Sequence, residues 1–212
     1  MELNVASACA GNQNYPLLVL VLLGRTNSGK TSAVNTILGR REFEIGVKTR
    51  QCVKRHGWVD EVRVALVDTP GWSVFGVANT KQVKQEILRS ETLSVVGHRV
   101  FLLVIPVDHF SRRDRRYVEE HLGILGFDVW KHTMVLFTWG DELRGKNIEE
   151  HISKSGEHLQ KILDLCENRY HVFNNKEADS YPQVSQLIQT VRLMFHINET
   201  GVKSNERGQQ QR

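Results

Sequence analysis

The run Gly24-Arg25-Thr26-Asn27-Ser28-Gly29-Lys30-Thr31 constrains this chain more than any other. It matches GxxxxGK(S/T). It stands between a continuous apolar run, Leu17 to Leu23, and a helical pattern, Ser32 to Leu38. That helix places Ala33, Val34, Ile37 and Leu38 on one face, and Gly39 stops it. Strand, glycine-rich loop and helix, in that order, make a phosphate site. The glycines let backbone N–H groups turn inward, and the helix start adds positive potential. Lys30 can neutralise β- and γ-phosphates, and the Thr31 hydroxyl can ligate Mg2+.

An apolar run with no alternation is a strand buried on both faces of a parallel sheet, and the remaining pattern agrees. Two β-like runs, Gln51 to Trp58 and Val62 to Val67, are joined by the short Val59-Asp60-Glu61 turn. A helix is expected from Lys81 to Val96, a strand from Val100 to Val107, and a helix from Arg112 to Leu125. Thr133 to Thr138 is a strand, 147–165 is helical with a break near Ser155-Gly156, Tyr170 to Phe173 is a short strand, and Val184 to Phe195 is a helix. This predicts an α/β fold: a doubly wound, mostly parallel six-stranded sheet with one antiparallel strand. Residues 1–15 read as a flexible N-terminus, 16–197 as one nucleotide-binding domain, and 198–212 as a polar disordered tail.

Composition excludes several classes. A length of 212 residues suits one domain with a complete core. Twenty-eight basic against 24 acidic residues leaves +4, too mild to argue for nucleic acid. Three cysteines with no CxxC spacing indicate neither a disulfide framework nor zinc, so a cytoplasmic location is expected. Leu17 to Leu23 is far short of the ~20 residues that span a bilayer. No Lys or Arg precedes it, so it is not expected to be the apolar part of a signal peptide. Trp58 and Trp130 are expected to be packing residues.

Asp68-Thr69-Pro70-Gly71 ends the Val62 to Val67 strand. A carboxylate at a strand tip beside a phosphate loop can hold Mg2+, and the Gly71 N–H can meet a γ-phosphate. Thr49, in the intervening loop, can give a second hydroxyl to Mg2+ and order that loop only when the γ-phosphate is present. Thr138-Trp139-Gly140-Asp141 closes the Thr133 to Thr138 strand, where an NKxD base reader would lie. Asp141 can accept from the N1–H and 2-amino group of guanine, which adenine cannot offer. Thr138 replaces the asparagine and Trp139 the lysine, whose stem an indole can replace by stacking on the base. Asn174 or Asn175, after the last short strand, is placed to touch the guanine O6 edge.

Taken in order, GRTNSGKTS, VDTPGW, GHRVFLLVIPVD, LFTWGDEL and YHVFNN resemble the G domain of the GIMAP-type immunity-associated GTPases, in the septin-like branch. The resemblance covers about residues 16–196. It implies a Ras-like domain binding GTP or GDP with Mg2+, an extra helix beside the switches, and dimerisation or polymerisation across the nucleotide face. Members associate peripherally with intracellular membranes through C-terminal extensions, and none is read here. Carried over by position, Gly24, Gly29, Lys30, Thr31 and Ser32 match the phosphate loop, Thr49 the first switch and Asp68 to Gly71 the second. Asp141 matches the base reader, and Asn174 or Asn175 the last guanine contact.

Two departures bear on catalysis. Trp72 follows the Asp-Thr-Pro-Gly motif, so no glutamine orients water there in the Ras manner. Asp108-His109 stands where the family carries Gly-Arg ahead of an aromatic, and His109, Arg112 and Arg113 are the candidate catalytic group. The expected function is a guanine-nucleotide switch with slow GTP hydrolysis, stimulated by dimerisation. A GTP-dependent self-assembling scaffold with negligible hydrolysis is the second reading; an ATP-using P-loop enzyme is a weaker third.

Overall fold

The computed structural model describes residues 17–73, 80–93, 97–174 and 180–207. These form a six-stranded sheet of β1 (Leu18–Leu23), β2 (Val53–Val59), β3 (Val62–Asp68), β4 (His98–Pro106), β5 (Thr133–Thr138) and β6 (Tyr170–Val172). The helices are α1 (Lys30–Leu38), α2 (Thr80–Thr92), α3 (Arg112–Leu122), α4 (Ile148–Lys154), α5 (Glu157–Leu165) and α6 (Tyr181–Arg207). The order across the sheet is β2-β3-β1-β4-β5-β6, with β2 antiparallel to β3 and every other pair parallel.

Every side chain of β1 is buried, as its unbroken apolar run requires for a central strand. Val19, Val21 and Leu23 face a core completed by Val83 and Ile87 of α2, Val118 and Leu122 of α3, and Leu159 and Ile162 of α5. Leu18, Leu20 and Leu22 face the opposite core, with Ala33, Val34 and Ile37 of α1 and Val184, Leu187, Ile188 and Val191 of α6. The parallel strands all point the same way. Their carboxyl ends therefore gather on one edge of the sheet, where Leu22 pairs with Asp68 and Pro106 with Thr138. Helices leave to both faces from there, and the crevice between them is where such folds bind ligands.

Several boundaries differ from the pattern. The third helix gives way after Leu122 to 3-10 turns over Gly123–Leu125 and Phe127–His132; the latter turn was not expected. Gly126 lies between them at φ 97, a conformation that breaks a helix. The last helix runs on to Arg207, into the stretch that composition marks as a disordered tail, although its apolar stripe ends at Phe195. Trp58 does not pack: it is 70% exposed on the edge strand, opposite the exposed Arg63. Trp130 does pack, against the first core.

Candidate functional site

The phosphate loop connects β1 to α1 with Asn27 and Gly29 in the left-handed region, at φ 61 and 87. Lys30 opens α1 and is only 6% exposed. Its ammonium donates back to the carbonyls of Arg25 at 2.8 Å and Gly24 at 3.2 Å, so it is held inside the curl of the loop. The loop is fixed from two sides. The Thr138 hydroxyl, fully buried at the end of β5, donates to the Ser28 carbonyl at 2.7 Å. The Thr26 N–H donates to the Trp72 carbonyl at 2.7 Å. Gly71 lies so close that a Cβ there would stand 2.6 Å from the Thr26 nitrogen, which excludes every other residue. Thr69 ties the same segment to β1 through a 2.7 Å bond to the Leu22 carbonyl.

Three elements converge on Asp68. Its Oδ2 accepts from Thr31 at 2.9 Å and from Thr49 at 3.1 Å, while its Oδ1 is buried without a hydrogen-bond partner. A buried carboxylate oxygen left unpaired is costly. Burial pushes the Asp68 carboxyl above its usual range and lowers the Lys30 ammonium to about 8, each partly offset by the other's charge. Each of these two buried charges is thus only partly compensated by the other. A hard divalent cation beside Asp68, with the Thr31 and Thr49 hydroxyls as further oxygen ligands, would offset the carboxylate. Phosphate oxygens at Lys30 would offset the ammonium. These residues fit Mg2+ and a phosphate chain.

The cleft over the loop is lined by residues 26–32, by 45–49 including the exposed Ile45 and Val47, and by Gly71 and Trp139. Trp139 holds φ 62, a strained value for a bulky side chain, and is 38% exposed. The adjoining Gly140 N–H donates to the Phe173 carbonyl at 3.0 Å, which joins the two loops expected to read the base. Asp141 is half-buried in the turn Gly140–Leu143. The Asn174 backbone is clamped by Gln183 of α6, at 2.8 and 3.0 Å. Asn175 lies outside the described residues.

Not all expected residues face the cleft. Arg25 turns away from it and pairs with the Asp108 carboxylate at the end of β4. Thr138 is buried beneath the loop instead of lining the cleft. His109 is exposed and lines a small cavity with Arg25, Trp72 and Asp108; Arg112 and Arg113 are exposed on the first turn of α3. Sequence reasoning missed the Arg25–Asp108 pair, since nothing local links residues 83 apart. It also missed the stack of Trp72 on buried His121, with ring centroids 4.8 Å apart. It missed the capping box of α3 as well, Ser111 with Asp114, although the spacing of those two residues could have shown it.

Comparison with known proteins agrees with this geometry. The AIG1 family model matches residues 18–211. GTPase IMAP family member 8 of Rattus norvegicus is 30% identical over 191 residues, covering 87% of this chain and 27% of that protein. Immune-associated nucleotide-binding protein 9 of Arabidopsis thaliana is 31% identical over 203 residues, covering 92% and 58%. The chain therefore spans only part of the length of these relatives. A crystal structure of Toc33 from Arabidopsis thaliana in complex with GDP and Mg2+ superposes with a TM-score of 0.61 at 17% identity, covering 86% of each chain. At that identity the likeness speaks for the Ras-like G-domain fold alone. With nearly the whole described chain matched in sequence and the motifs assembled on one sheet edge, the GIMAP-type resemblance holds, and this chain belongs to the AIG1 family.

Proposed function

We propose that the chain binds GTP and GDP with Mg2+ as a switch, hydrolysing GTP slowly alone and faster on self-association. The observation that carries this reading is the convergence of Thr31 and Thr49 on Asp68, whose second oxygen is buried and unpaired beside Lys30. Bound there, Mg2+ would neutralise charge on the β- and γ-phosphates. Thr49 would then hold the first switch in place while a γ-phosphate is present, and Gly71 would offer its N–H to that phosphate. At the other end, Trp139 covers the base and Asp141 accepts from the guanine N1–H and amino group.

Self-association is supported by analogy: a study of Toc33 and Toc159 reports dimerisation as important for their GTPase activity. The free, buried Cys52 and Cys166 suit a reducing cytoplasm. No helix among the described residues is long and apolar enough to cross a membrane. The burial of Trp72, where a glutamine could have faced the cleft, favours the scaffold with negligible hydrolysis as the second reading.

Titration calorimetry with GTP, GDP and ATP, with and without Mg2+, tests the assignment. Guanine nucleotides should bind and ATP should not. Asp141→Asn should weaken GTP by about 10- to 100-fold, the equivalent of one buried unpaired donor, and gain affinity for xanthosine triphosphate. A variant that still selects GTP as wild type does would remove Asp141 from the base site.

A further inference from the structure

A second chamber adjoins the phosphate cleft. The two share Thr26 of the phosphate loop, Lys48, Thr49 and Gly71, and the lining of the second includes Gln82 from the first turn of α2. Gln82 also borders the cavity beyond Thr49 that contains Thr31 and Asp68. A triphosphate lying along the loop would present its γ-phosphorus between Thr49 and Gly71. A water attacking in line must sit on the side away from the leaving oxygen, and a chamber bordered by Thr49 and Gly71 would hold it there. Orienting that water takes a group that can both accept from it and donate to a phosphoryl oxygen, as a carboxamide does. The chamber is also lined by Ser73, Lys48 and Arg50, but the two cations can only donate, and a hydroxyl has one donor to share between both tasks; Gln82 is the one described residue there with a separate acceptor and donor on a single side chain. Trp72 cannot serve: its ring is buried and stacked on His121.

We infer that Gln82 is a catalytic residue, orienting the attacking water from α2 in place of a glutamine after Gly71. The inference rests on the nucleotide reading above. The water oxygen forms a bond to the γ-phosphorus while the bond from that phosphorus to the β–γ bridging oxygen breaks. The bridging oxygen leaves with the electron pair on GDP, and the proton of the water passes to a γ-phosphoryl oxygen. The Gln82 carbonyl accepts from the water, and its NH2 donates to the phosphoryl group. The side chain is exposed on a helix surface, so its replacement leaves the core untouched.

The test uses Gln82→Ala in the full chain, with three readouts: affinity for GMPPNP, single-turnover hydrolysis of bound GTP, and retention of GDP with aluminium fluoride. The variant should bind GMPPNP as wild type does, hydrolyse about 10²-fold more slowly, and lose the aluminium fluoride complex. Equal hydrolysis and an intact aluminium fluoride complex in the variant would overturn the role of Gln82 while leaving the nucleotide reading standing. A wild type that binds GTP but neither hydrolyses it nor captures aluminium fluoride would also overturn it. A wild type that binds no nucleotide would overturn both.

Discussion

Thr138 and Trp139 share one strand end and do opposite things. The Thr138 hydroxyl is fully buried and spends its donor on the Ser28 carbonyl, so it holds the phosphate loop against β5 and leaves the base alone. Trp139 is forced into the left-handed region, and its ring is left on the cleft wall. Strain of that kind, of order 1–3 kcal/mol, persists where the surroundings fix it. Here Gly140 does so, by its bond to Phe173. Thr138→Val keeps the shape but leaves the Ser28 carbonyl buried and unpaired, which should cost about 1–3 kcal/mol in denaturant unfolding and weaken nucleotide binding with it. Thr138→Ser should restore most of both. An unfolding midpoint unmoved by the valine would mean that the bond does not hold the loop.

At the scale of elements, the second switch is anchored to α3 by the Trp72–His121 stack. His121 Nδ1 lies 2.8 Å from the Tyr117 carbonyl, and Nε2 is buried without a partner. Burial holds this imidazole below its ordinary value of 6.5. Below 6.5 the unfolded chain takes up a proton that the folded one refuses, so stability falls as pH drops through that window. His56, His151 and His171 are depressed by burial too, and the informative quantity is therefore a difference. His121→Phe should lose less stability than wild type between about pH 7 and about pH 5.5, read by thermal unfolding. An identical loss would assign the slope to the other histidines. Elements like these were unevenly legible in the sequence. β5 was read to the residue, because its apolar run ends in a polar motif, and the α4–α5 break was read from Gly156, which holds φ 78. The 3-10 turn at Phe127–His132 was not, since it carries no period. The phosphate loop, Thr49 and Asp68 were legible from motif order. The placement of Gln82 was not, because only the path of α2 brings it beside Thr49.

For the whole molecule, the open question is where a catalytic cation comes from. Phosphoryl transfer needs positive charge at the γ-phosphate, and an arginine supplied in trans contributes about 10³–10⁵ in rate. Within one subunit Arg25 of the phosphate loop is committed to Asp108, Lys48 and Arg50 border the cleft or its neighbouring chamber, and His109 stands where the GIMAP-type resemblance implies an arginine. The start of α3 offers the alternative. The Ser111–Asp114 capping box sustains a first turn that four nearby arginines would otherwise oppose. Arg115 lies 3.7 Å from Glu119, whereas Arg112 and Arg113 are exposed and make no ion pair among the described residues. Two exposed, uncommitted arginines next to His109 are what a second copy, docked across the nucleotide face, could receive. Activity per subunit should therefore rise with protein concentration. Arg112→Ala combined with Arg113→Ala should flatten the rise while leaving GTP affinity intact, because neither side chain lines the cleft. His109→Arg should steepen it. If activity per subunit is independent of concentration and unmoved by all three changes, then no cation is borrowed from a second copy, and groups of the same subunit, Lys30, Lys48 and Arg50 with Gln82 and the bound metal, must account for whatever hydrolysis remains.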